Sequence, residues 1–360
     1  MIPVTKPFFP PIEEYYEMLE DIWAGGIITN NGPLVKELEQ KTASYLGINN
    51  MVLVGNGTVA LQIALKSLQL SGEIITTPFS YIATTSSILW EGIRPVFVDI
   101  DPDTLNIDPG KIKRAISKKT TAILATHVFG NPCNIEAIRE IADRYQLKVI
   151  YDAAHCFGTT YKGRSVYEYG DISTASFHAT KIFHTTEGGA LFSSDKHLIE
   201  RFQYMRNFGH DGPEKFNGIG INGKCSELHA AMGLCNLAYI DQILERRKEQ
   251  VELYEELLNF KVLNRIKIQD DAVWNRSYFP VIFQSEETAL FIKKSLEDKN
   301  VFLRRYFYPS LETLNYIPSE QMPVSNSVAG RILCLPLYHE LKNREISSIS
   351  QFINSSIGSR

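Results

Sequence analysis

The 360-residue sequence has few cysteines, no surplus of basic residues and no long apolar run. Its five cysteines, Cys133, Cys156, Cys225, Cys235 and Cys334, include no CxxC pair and are odd in number. This pattern favours reduced thiols over a disulfide framework or a zinc site. We therefore expect no metal and a reducing compartment, the cytoplasm.

The sequence also has no excess of basic over acidic residues. The chain holds 37 Lys and Arg against 41 Asp and Glu, a formal net charge of −4. A general polyanion binder needs a basic surplus, so we expect no nucleic-acid partner. The most apolar helical stretch, around Ala230 to Ile240, is far shorter than the ~20 residues that cross a bilayer, and the N-terminal sequence lacks a basic stretch followed by an apolar core. The sequence thus predicts neither a membrane partner nor a signal peptide.

The remaining composition, 44% hydrophobic and 22% charged residues, is that of a globular chain. Its length suggests two domains, and we predict a large domain over 1–245 and a smaller C-terminal α+β domain over 246–360. From Met51 to Phe192, β-branched runs alternate with amphipathic ones. The strand candidates are 51–54, 73–77, 95–100, 121–127, 148–154, 173–177 and 189–193. This alternation predicts an α/β fold with a mostly parallel sheet covered by helices on both faces.

Helix signals complete this outline. Asp108 and Asn134 stand where caps should open helices. From Ser226 to about Leu258, one long helical pattern passes from small apolar residues to charged ones. The pattern predicts a helix that leaves a packed core and runs into solvent or between domains.

The first informative motif is VGNGTVAL, which follows a strand and opens a helix. Its glycines permit a tight turn, and the helix start offers free N–H groups to an anion near Gly57 and Thr58. The GxGxxA spacing also fits the relaxed dinucleotide fingerprint. That fingerprint needs an acid at the end of the second strand, where this sequence reads TTP. The motif therefore favours a phosphate cradle over an NAD site, with a plain tight turn as the alternative.

Three more residues follow strands of the predicted sheet. Asp152 in YDAAH ends a parallel strand, where a carboxylate can bind a ligand, cap a helix or hold a metal. Lys181 in SFHATK lies in a loop between apolar strands. Such a lysine is normally solvated, but burial in a cleft would lower its pKa and make it a nucleophile for carbonyls. Tyr81 follows the second strand, either as a core residue or as a ring that stacks on a flat heterocycle.

Together these features match one molecule, pyridoxal phosphate. The residues suited to its phosphate are Gly57, Thr58 and Ser176. Tyr81 suits its ring, Asp152 suits its pyridinium nitrogen, and Lys181 suits its aldehyde. Lys181 lies 29 residues after Asp152, which leaves room for the chain to return to the same cleft.

The sequence also resembles the DegT/DnrJ-type sugar aminotransferases, pyridoxal phosphate enzymes of the aspartate aminotransferase fold (fold type I). The motifs that carry the resemblance include GNGTVAL, TTPFSYIAT, YDAAHCFGT, GDISTASFHATK, EGGAL and GINGKCSELHAAMGL. The resemblance implies that Lys181 is the Schiff-base lysine and Asp152 the partner of the pyridinium nitrogen. It implies that Tyr81 stacks on the cofactor. It also places His155, where many members have glutamine, beside the ring hydroxyl.

The resemblance further implies a homodimer with active sites at the interface. Asn222 and Lys224 match the segment that reaches the neighbour's phosphate. The implied reaction is an EC 2.6.1 transamination, in which L-glutamate donates its amino group to a nucleotide-linked keto-sugar and leaves as 2-oxoglutarate.

The substrate is the least determined part of this interpretation. The pattern PFSYxATTSSIxWE with SFHATKxFHTxEGGA resembles the branch that aminates C4 of dTDP-4-keto-6-deoxyglucose, giving dTDP-4-amino-4,6-dideoxyglucose for cell-surface glycans such as O-antigen. A 3-aminotransferase acting on a dTDP-3-keto-6-deoxyhexose is the alternative. An NAD-dependent oxidoreductase or a non-catalytic protein of this fold are further rivals. Candidate sugar or nucleotide contacts are His127, Phe129, His184, Arg206 and Tyr306, with surface or core roles as the alternative for each.

Overall fold

The computed structural model of the chain describes residues 1–317 and 320–358. The strands in these ranges are β1 (Met51–Val54), β2 (Glu73–Thr76), β3 (Arg94–Phe97), β4 (Thr120–Thr126), β5 (Lys148–Asp152), β6 (Thr160–Tyr161), β7 (Arg164–Ser165), β8 (Ile172–Ser176), β9 (Gly189–Phe192), β10 (Ala272–Val273), β11 (Phe279–Ile282) and β12 (Ile332–Leu335). The α-helices are α1 (Ile12–Gly25), α2 (Pro33–Leu46), α3 (Gly57–Ser67), α4 (Ile82–Trp90), α5 (Pro109–Ala115), α6 (Ile135–Tyr145), α7 (Lys196–Met205), α8 (Glu227–Leu237), α9 (Ile240–Leu257), α10 (Glu286–Glu297), α11 (Pro323–Arg331) and α12 (Asn343–Gly358). Among these helices, none combines the length and the apolar character that crossing a bilayer requires.

Within the described ranges, seven strands form one large sheet in the order β1-β9-β8-β5-β4-β2-β3. Neighbouring strands from β3 to β8 are parallel, whereas β9 is antiparallel to both β8 and β1. Each strand predicted between Met51 and Phe192 is present, with ends displaced by a few residues at most. The predicted α/β fold with a mostly parallel, mixed sheet is confirmed.

The large sheet is buried on both faces, which explains why its strands show no alternation of polar and apolar residues. Successive side chains of a strand point to opposite faces. Val149 and Tyr151 of β5 therefore join a core with α2, α6 and α8, while Ile150 joins a second core with α3 and α7. These two cores hold the strands in place.

Short polar side chains begin several helices that cover the sheet. Asn56 caps α3 by accepting a hydrogen bond from the Val59 amide at 2.9 Å. Asp108 and Asn134 cap α5 and α6 in the same way. The two caps predicted from the sequence are confirmed, and the third fixes the start of the helix that matters most for the site.

The single helical pattern predicted over 226–258 is wrong in one respect, because the structure breaks it into α8 and α9 at Tyr239. This residue has φ −104° and ψ 0°. Its hydroxyl donates to Glu14, and its ring packs on Phe8 with 5.3 Å between centroids. These contacts with the N-terminal segment hold Tyr239 out of the helical register, a cause that lies far away in the sequence.

A separate core, the C-terminal core, belongs to the C-terminal part of the chain. There β11 and β12 pair antiparallel and pack with α9, α10 and α12 through side chains such as Val251, Ile292 and Ile349. The first half of α9 instead supplies Ile243 to the core of the large sheet. Thus α9 joins the two cores, and the division at residue 245, which falls inside this helix, stays a prediction.

Candidate active site

The carboxyl ends of β1, β2, β4, β5 and β8 meet at one edge of the large sheet. A cavity of about 630 Å³ opens there. Small-molecule sites span about 300–1,000 Å³, and α/β sheets bind ligands at this edge. The residues proposed from the sequence that line this cavity are Gly57, Thr58, Tyr81, Asp152, His155, Ser176, Lys181 and Tyr306.

Lys181 lies in the loop between β8 and β9, which reaches the cavity because β9 reverses the direction of the chain. A hydrogen bond from the Ala179 amide to the Thr186 carbonyl, 2.7 Å long, joins the two sides of the loop. Burial lowers the pKa of Lys181 to about 8, and the Asp152 carboxylate opposes that shift. With a pKa of about 8, about a tenth of the amine is neutral at pH 7, against roughly one part in three thousand for an ordinary lysine. A neutral amine can attack a carbonyl.

Asp152 is the last residue of β5 and is buried at the floor of the cavity. Its Oδ1 accepts a hydrogen bond from the Ala154 amide at 3.1 Å, and its Oδ2 accepts one from Thr84 Oγ1 at 2.6 Å. Burial raises the pKa of Asp152, while these donors and the charge of Lys181 oppose the rise. The arrangement places a hydrogen-bonded carboxylate where it can pair with a basic ring nitrogen.

The start of α3 lies beside the end of β8 and forms with it the candidate anion cradle. The amides of Gly57 and Thr58 are in the first helical turn, where backbone donors have no intrahelical acceptor. A Cβ at Gly57 would lie 2.9 Å from Ser176 Cβ, so only glycine keeps this space open. Backbone donors, the helix dipole and the hydroxyls of Thr58 and Ser176 converge there, as in phosphate sites at other helix N-termini.

His155 closes one side of the cavity. Its ring stacks on Phe307 with 5.9 Å between centroids and lies parallel to Phe129 at 6.4 Å. Burial and the positive charge of Lys181 hold the pKa of His155 well below its usual value. The imidazole is therefore neutral at neutral pH and faces a ligand as an uncharged hydrogen-bonding ring.

Tyr306 is the one proposed sugar or nucleotide contact that lines the cavity; the other four do not belong to its described lining. Those four, all buried, are His127, Phe129, His184 and Arg206. His127 stacks on Tyr151 at 4.4 Å and accepts a hydrogen bond from the Cys133 amide. Burial lowers the pKa of His127 to about 3, so the ring stays neutral inside the core.

The other three of these side chains also serve packing. Phe129 lies against Phe307 with 5.7 Å between parallel rings. His184 Nε2 lies 2.8 Å from the Phe8 carbonyl and ties the N-terminal segment to the core. Arg206 donates to the Leu53 carbonyl at 2.7 Å and pairs with a carboxylate of α2. Sequence reasoning could not distinguish a side chain that packs in the core from one that contacts a ligand, because the same residue types serve both purposes.

Arg206→Ala should lower the free energy of unfolding by about 3–5 kcal/mol, because it leaves Glu39, the α2 carboxylate, without its buried counter-charge. Urea denaturation measures this change. The control is Arg139→Ala, whose exposed pair with Asp143 should contribute less than about 1 kcal/mol. Unchanged stability together with a raised KM for the nucleotide-linked keto-sugar would instead make Arg206 a substrate contact.

Asn222 and Lys224 lie outside the described lining of their own chain's cavity. Lys224 Nζ lies 2.8 Å from Asn222 Oδ1 and 4.6 Å from the centre of the Phe208 ring. The backbone between them adjoins the cradle, because the Gly55 amide donates to the Gly223 carbonyl at 2.8 Å. The segment thus supports the cradle of its own chain while presenting its side chains elsewhere.

Arg304 and Thr84 are among the residues of this site that sequence reasoning missed. Arg304 lines the cavity from the C-terminal part of the chain, with its guanidinium 4.7 Å from the Tyr306 ring centre. Thr84 contacts Asp152 from behind. The position of Thr84, three residues after Tyr81 on the same helix face, was an available signal, whereas Arg304 has none in its local sequence.

Comparison with known proteins gives consistent matches over the whole chain. The family described as DegT/DnrJ/EryC1/StrS aminotransferase matches residues 11–354. A dTDP-4-amino-4,6-dideoxy-D-glucose transaminase of Shigella dysenteriae is 43% identical, covering 98% of this chain and 97% of that protein. One from Escherichia coli with the same name is 40% identical, covering 98% of each. The crystal structure of DesI with its TDP-sugar product has a TM-score of 0.93 and 31% identity, covering 98% of this chain and 92% of DesI.

Proposed function

The chain belongs to the DegT/DnrJ/EryC1/StrS aminotransferase family, whose members use pyridoxal phosphate, and we propose that it transfers the amino group of L-glutamate to C4 of dTDP-4-keto-6-deoxyglucose. The product would be dTDP-4-amino-4,6-dideoxyglucose. The observation that carries the proposal is that Lys181, Asp152 and the cradle at Gly57 open into one cavity. The choice of C4 is supported by the names of the relatives that are 43% and 40% identical to this chain.

The residues of the cavity fit pyridoxal phosphate. The cradle, which a Cβ at Gly57 would fill, suits a phosphate. Asp152 suits the pyridinium nitrogen, and the Tyr81 ring, 57% exposed at the start of α4, is free to stack on a flat ring. Lys181 suits the aldehyde, and neutral His155 suits the ring hydroxyl.

Each of these residues then has a defined task. When bound, pyridoxal phosphate supplies a carbonyl that takes up the amino group and a ring that withdraws electrons from the reacting carbon. Lys181 Nζ, neutral in part at pH 7, is the nucleophile and the base that takes the proton from the α-carbon of glutamate. Asp152 holds a proton on the ring nitrogen. Tyr81 and the cradle orient the ring and its phosphate.

We further propose that the enzyme is a homodimer with shared active sites. Large apolar side chains are exposed in α1 and just after it, at the end of α4 and in the segment before Asn222: Trp23, Ile28, Trp90, Phe208, Phe216 and Ile219. Trp90 is 80% exposed and Trp23 is 72% exposed. Exposed apolar patches of this kind mark protein interfaces. In this dimer we assign Asn222 and Lys224 to the neighbour's cradle, as the resemblance to the family implies.

Mixing two inactive variants should restore activity if the sites are shared. Lys181→Ala disables its own cavity, and Lys224→Ala disables the cavity of the neighbouring subunit. After subunit exchange half of the dimers are mixed, and each of these has one intact site, so about one quarter of wild-type activity returns. Steady-state rates before and after exchange measure this. No recovery, with mixed dimers shown by native mass spectrometry, would place Lys224 at its own chain's site or at none.

The test of the reaction itself is product analysis. The purified protein is incubated with glutamate and, separately, with 4-keto and 3-keto dTDP-6-deoxy sugars, and NMR locates the new C–N bond. We expect glutamate-dependent amination at C4. Amination at C3 would overturn the substrate and keep the transaminase. Absence of both a visible cofactor band and glutamate-dependent turnover would overturn the aminotransferase itself.

The cellular setting stays a prediction. All five cysteines, each within the described residues, are buried and unpaired. Such thiols suit a reducing compartment, which supports the cytoplasm. The use of the amino sugar in a cell-surface glycan follows from the proposed product alone.

A further inference from the structure

Three hydroxyl groups lie in a row that ends at the carboxylate of Asp152. Thr126 Oγ1 lies 3.0 Å from Ser80 Oγ, and Ser80 Oγ lies 2.8 Å from Thr84 Oγ1. Thr84 Oγ1 in turn lies 2.6 Å from Asp152 Oδ2. None of these four side chains is more than 6% exposed. The row runs along the wall of the cavity, from β4 through the segment before α4 and α4 itself to β5. Thr126, Ser80 and Asp152 belong to the described cavity lining, whereas Thr84 does not.

The direction of these hydrogen bonds is fixed by counting protons. A hydroxyl has one proton to donate, and an ionised carboxylate can only accept. Thr84 therefore donates to Asp152 and accepts from Ser80. Ser80 has then used its proton and accepts from Thr126. All three bonds point toward Asp152 Oδ2, and aligned O–H dipoles strengthen one another.

The row opposes the effect of burial on the pKa of this carboxylate. Oδ1 has a separate donor, the Ala154 amide, so each oxygen of Asp152 receives one hydrogen bond from the protein. Donors to the charged form lower the pKa of a carboxyl group, against the rise caused by burial. Each oxygen also keeps a lone pair for a ligand in the cavity.

We propose that Thr84 is a positioning residue for the transamination, which keeps Asp152 ionised and thereby leaves the shared proton on the ring nitrogen of the cofactor. This inference rests on the proposed function, which gives Asp152 that nitrogen as its partner. Without the Thr84 hydroxyl, Asp152 becomes more basic and takes the proton. The ring nitrogen is then neutral and withdraws electrons less strongly.

Thr84 has a matched set of variants. Thr84→Val keeps the shape and removes the hydroxyl, and Thr84→Ser keeps the hydroxyl. Thr85→Val is the control, because Thr85 is the next residue of α4, is fully buried, and its hydroxyl has no partner among the described residues. Ser80→Ala interrupts the row one link further back and leaves Thr84 in place.

The experiment uses the holoenzyme loaded with pyridoxal phosphate that carries ¹⁵N in its ring. NMR reports whether the ring nitrogen is protonated, and steady-state kinetics give kcat and both KM values. We expect wild type, Thr84→Ser and Thr85→Val to hold a protonated nitrogen. Thr84→Val should shift the resonance toward neutral pyridine and lower kcat roughly 10- to 100-fold, the effect of one hydrogen bond to a charged group, with both KM values nearly unchanged. Ser80→Ala should shift it less, in the same direction.

Two results would overturn the inference: a fully protonated nitrogen with wild-type kcat in Thr84→Val, or an equal loss of kcat in Thr85→Val. If Thr84→Val does not fold, Ser80→Ala decides by the same resonance, and no shift there overturns the inference. A wild-type protein that takes up no pyridoxal phosphate overturns the proposed function instead, so the two failures are distinct.

Discussion

Lys181→Ala should lower kcat about 10⁴-fold, because the change removes the group that we propose as both the nucleophile and the base of the reaction. The visible absorption band of the purified protein should disappear with the lysine that holds the cofactor. Glutamate-dependent amination of the dTDP-keto-sugar and the absorption spectrum measure the two effects. The side chain is half-buried in a loop, so the fold should be retained, which circular dichroism checks.

Two controls sharpen this result. Lys181→Arg keeps a positive charge without a nucleophilic amine and should be as inactive as Lys181→Ala. Small primary amines added to Lys181→Ala should restore part of the rate by acting as the missing base. In the wild-type apoprotein, the rate of covalent attachment of pyridoxal phosphate should rise with pH through about 8, because only the neutral amine attacks. A midpoint near 10.5 would mean that burial does not tune this amine.

Asp152→Asn should lower kcat about 10²- to 10³-fold, the size of effect seen when one electrostatic partner of a reacting group is removed. Asparagine has the same shape but carries no charge, so the protonated form of the ring nitrogen is no longer stabilised by a carboxylate. Steady-state kinetics with glutamate and the keto-sugar measure the change. The affinity for pyridoxal phosphate should also fall, since an ion pair is lost.

Asp152→Glu is the companion variant. It keeps the charge and displaces it by one methylene, so it should retain more activity than Asp152→Asn. Equal activities of the two variants would mean that shape, and not charge, is what the reaction needs at this position. Wild-type kcat in Asp152→Asn would remove this carboxylate from the mechanism.

The fold could be predicted where local sequence decides it. The β-branched runs of the large sheet read as strands because both of their faces are buried, and the caps Asp108 and Asn134 act on amides two or three residues away. The break before α9 could not be predicted, because Tyr239 is held by Glu14 and Phe8, more than 200 residues earlier. Helical periodicity carries no information about such a contact.

The candidate site likewise has residues that the local sequence predicts and residues that it does not. Asp152, Lys181 and Gly57 follow strands of one sheet, and the rule that carboxyl ends gather at one edge brings them together. Arg304 reaches the cavity through the packing of the C-terminal part on the large sheet, which no local pattern records. His127 and Arg206 share residue types with ligand contacts, and it is their place outside the described cavity lining that separates them from it.

One continuous helix, α9, contributes side chains to the core of the large sheet and to the C-terminal core, so it packs against both parts of the chain. The cavity is lined from both parts, by Asp152 on the sheet and by Tyr306 in the C-terminal part. A ligand bound there would contact both parts at once. Heat should therefore melt them in a single cooperative event, displaced as a whole to higher temperature by whatever fills the cavity.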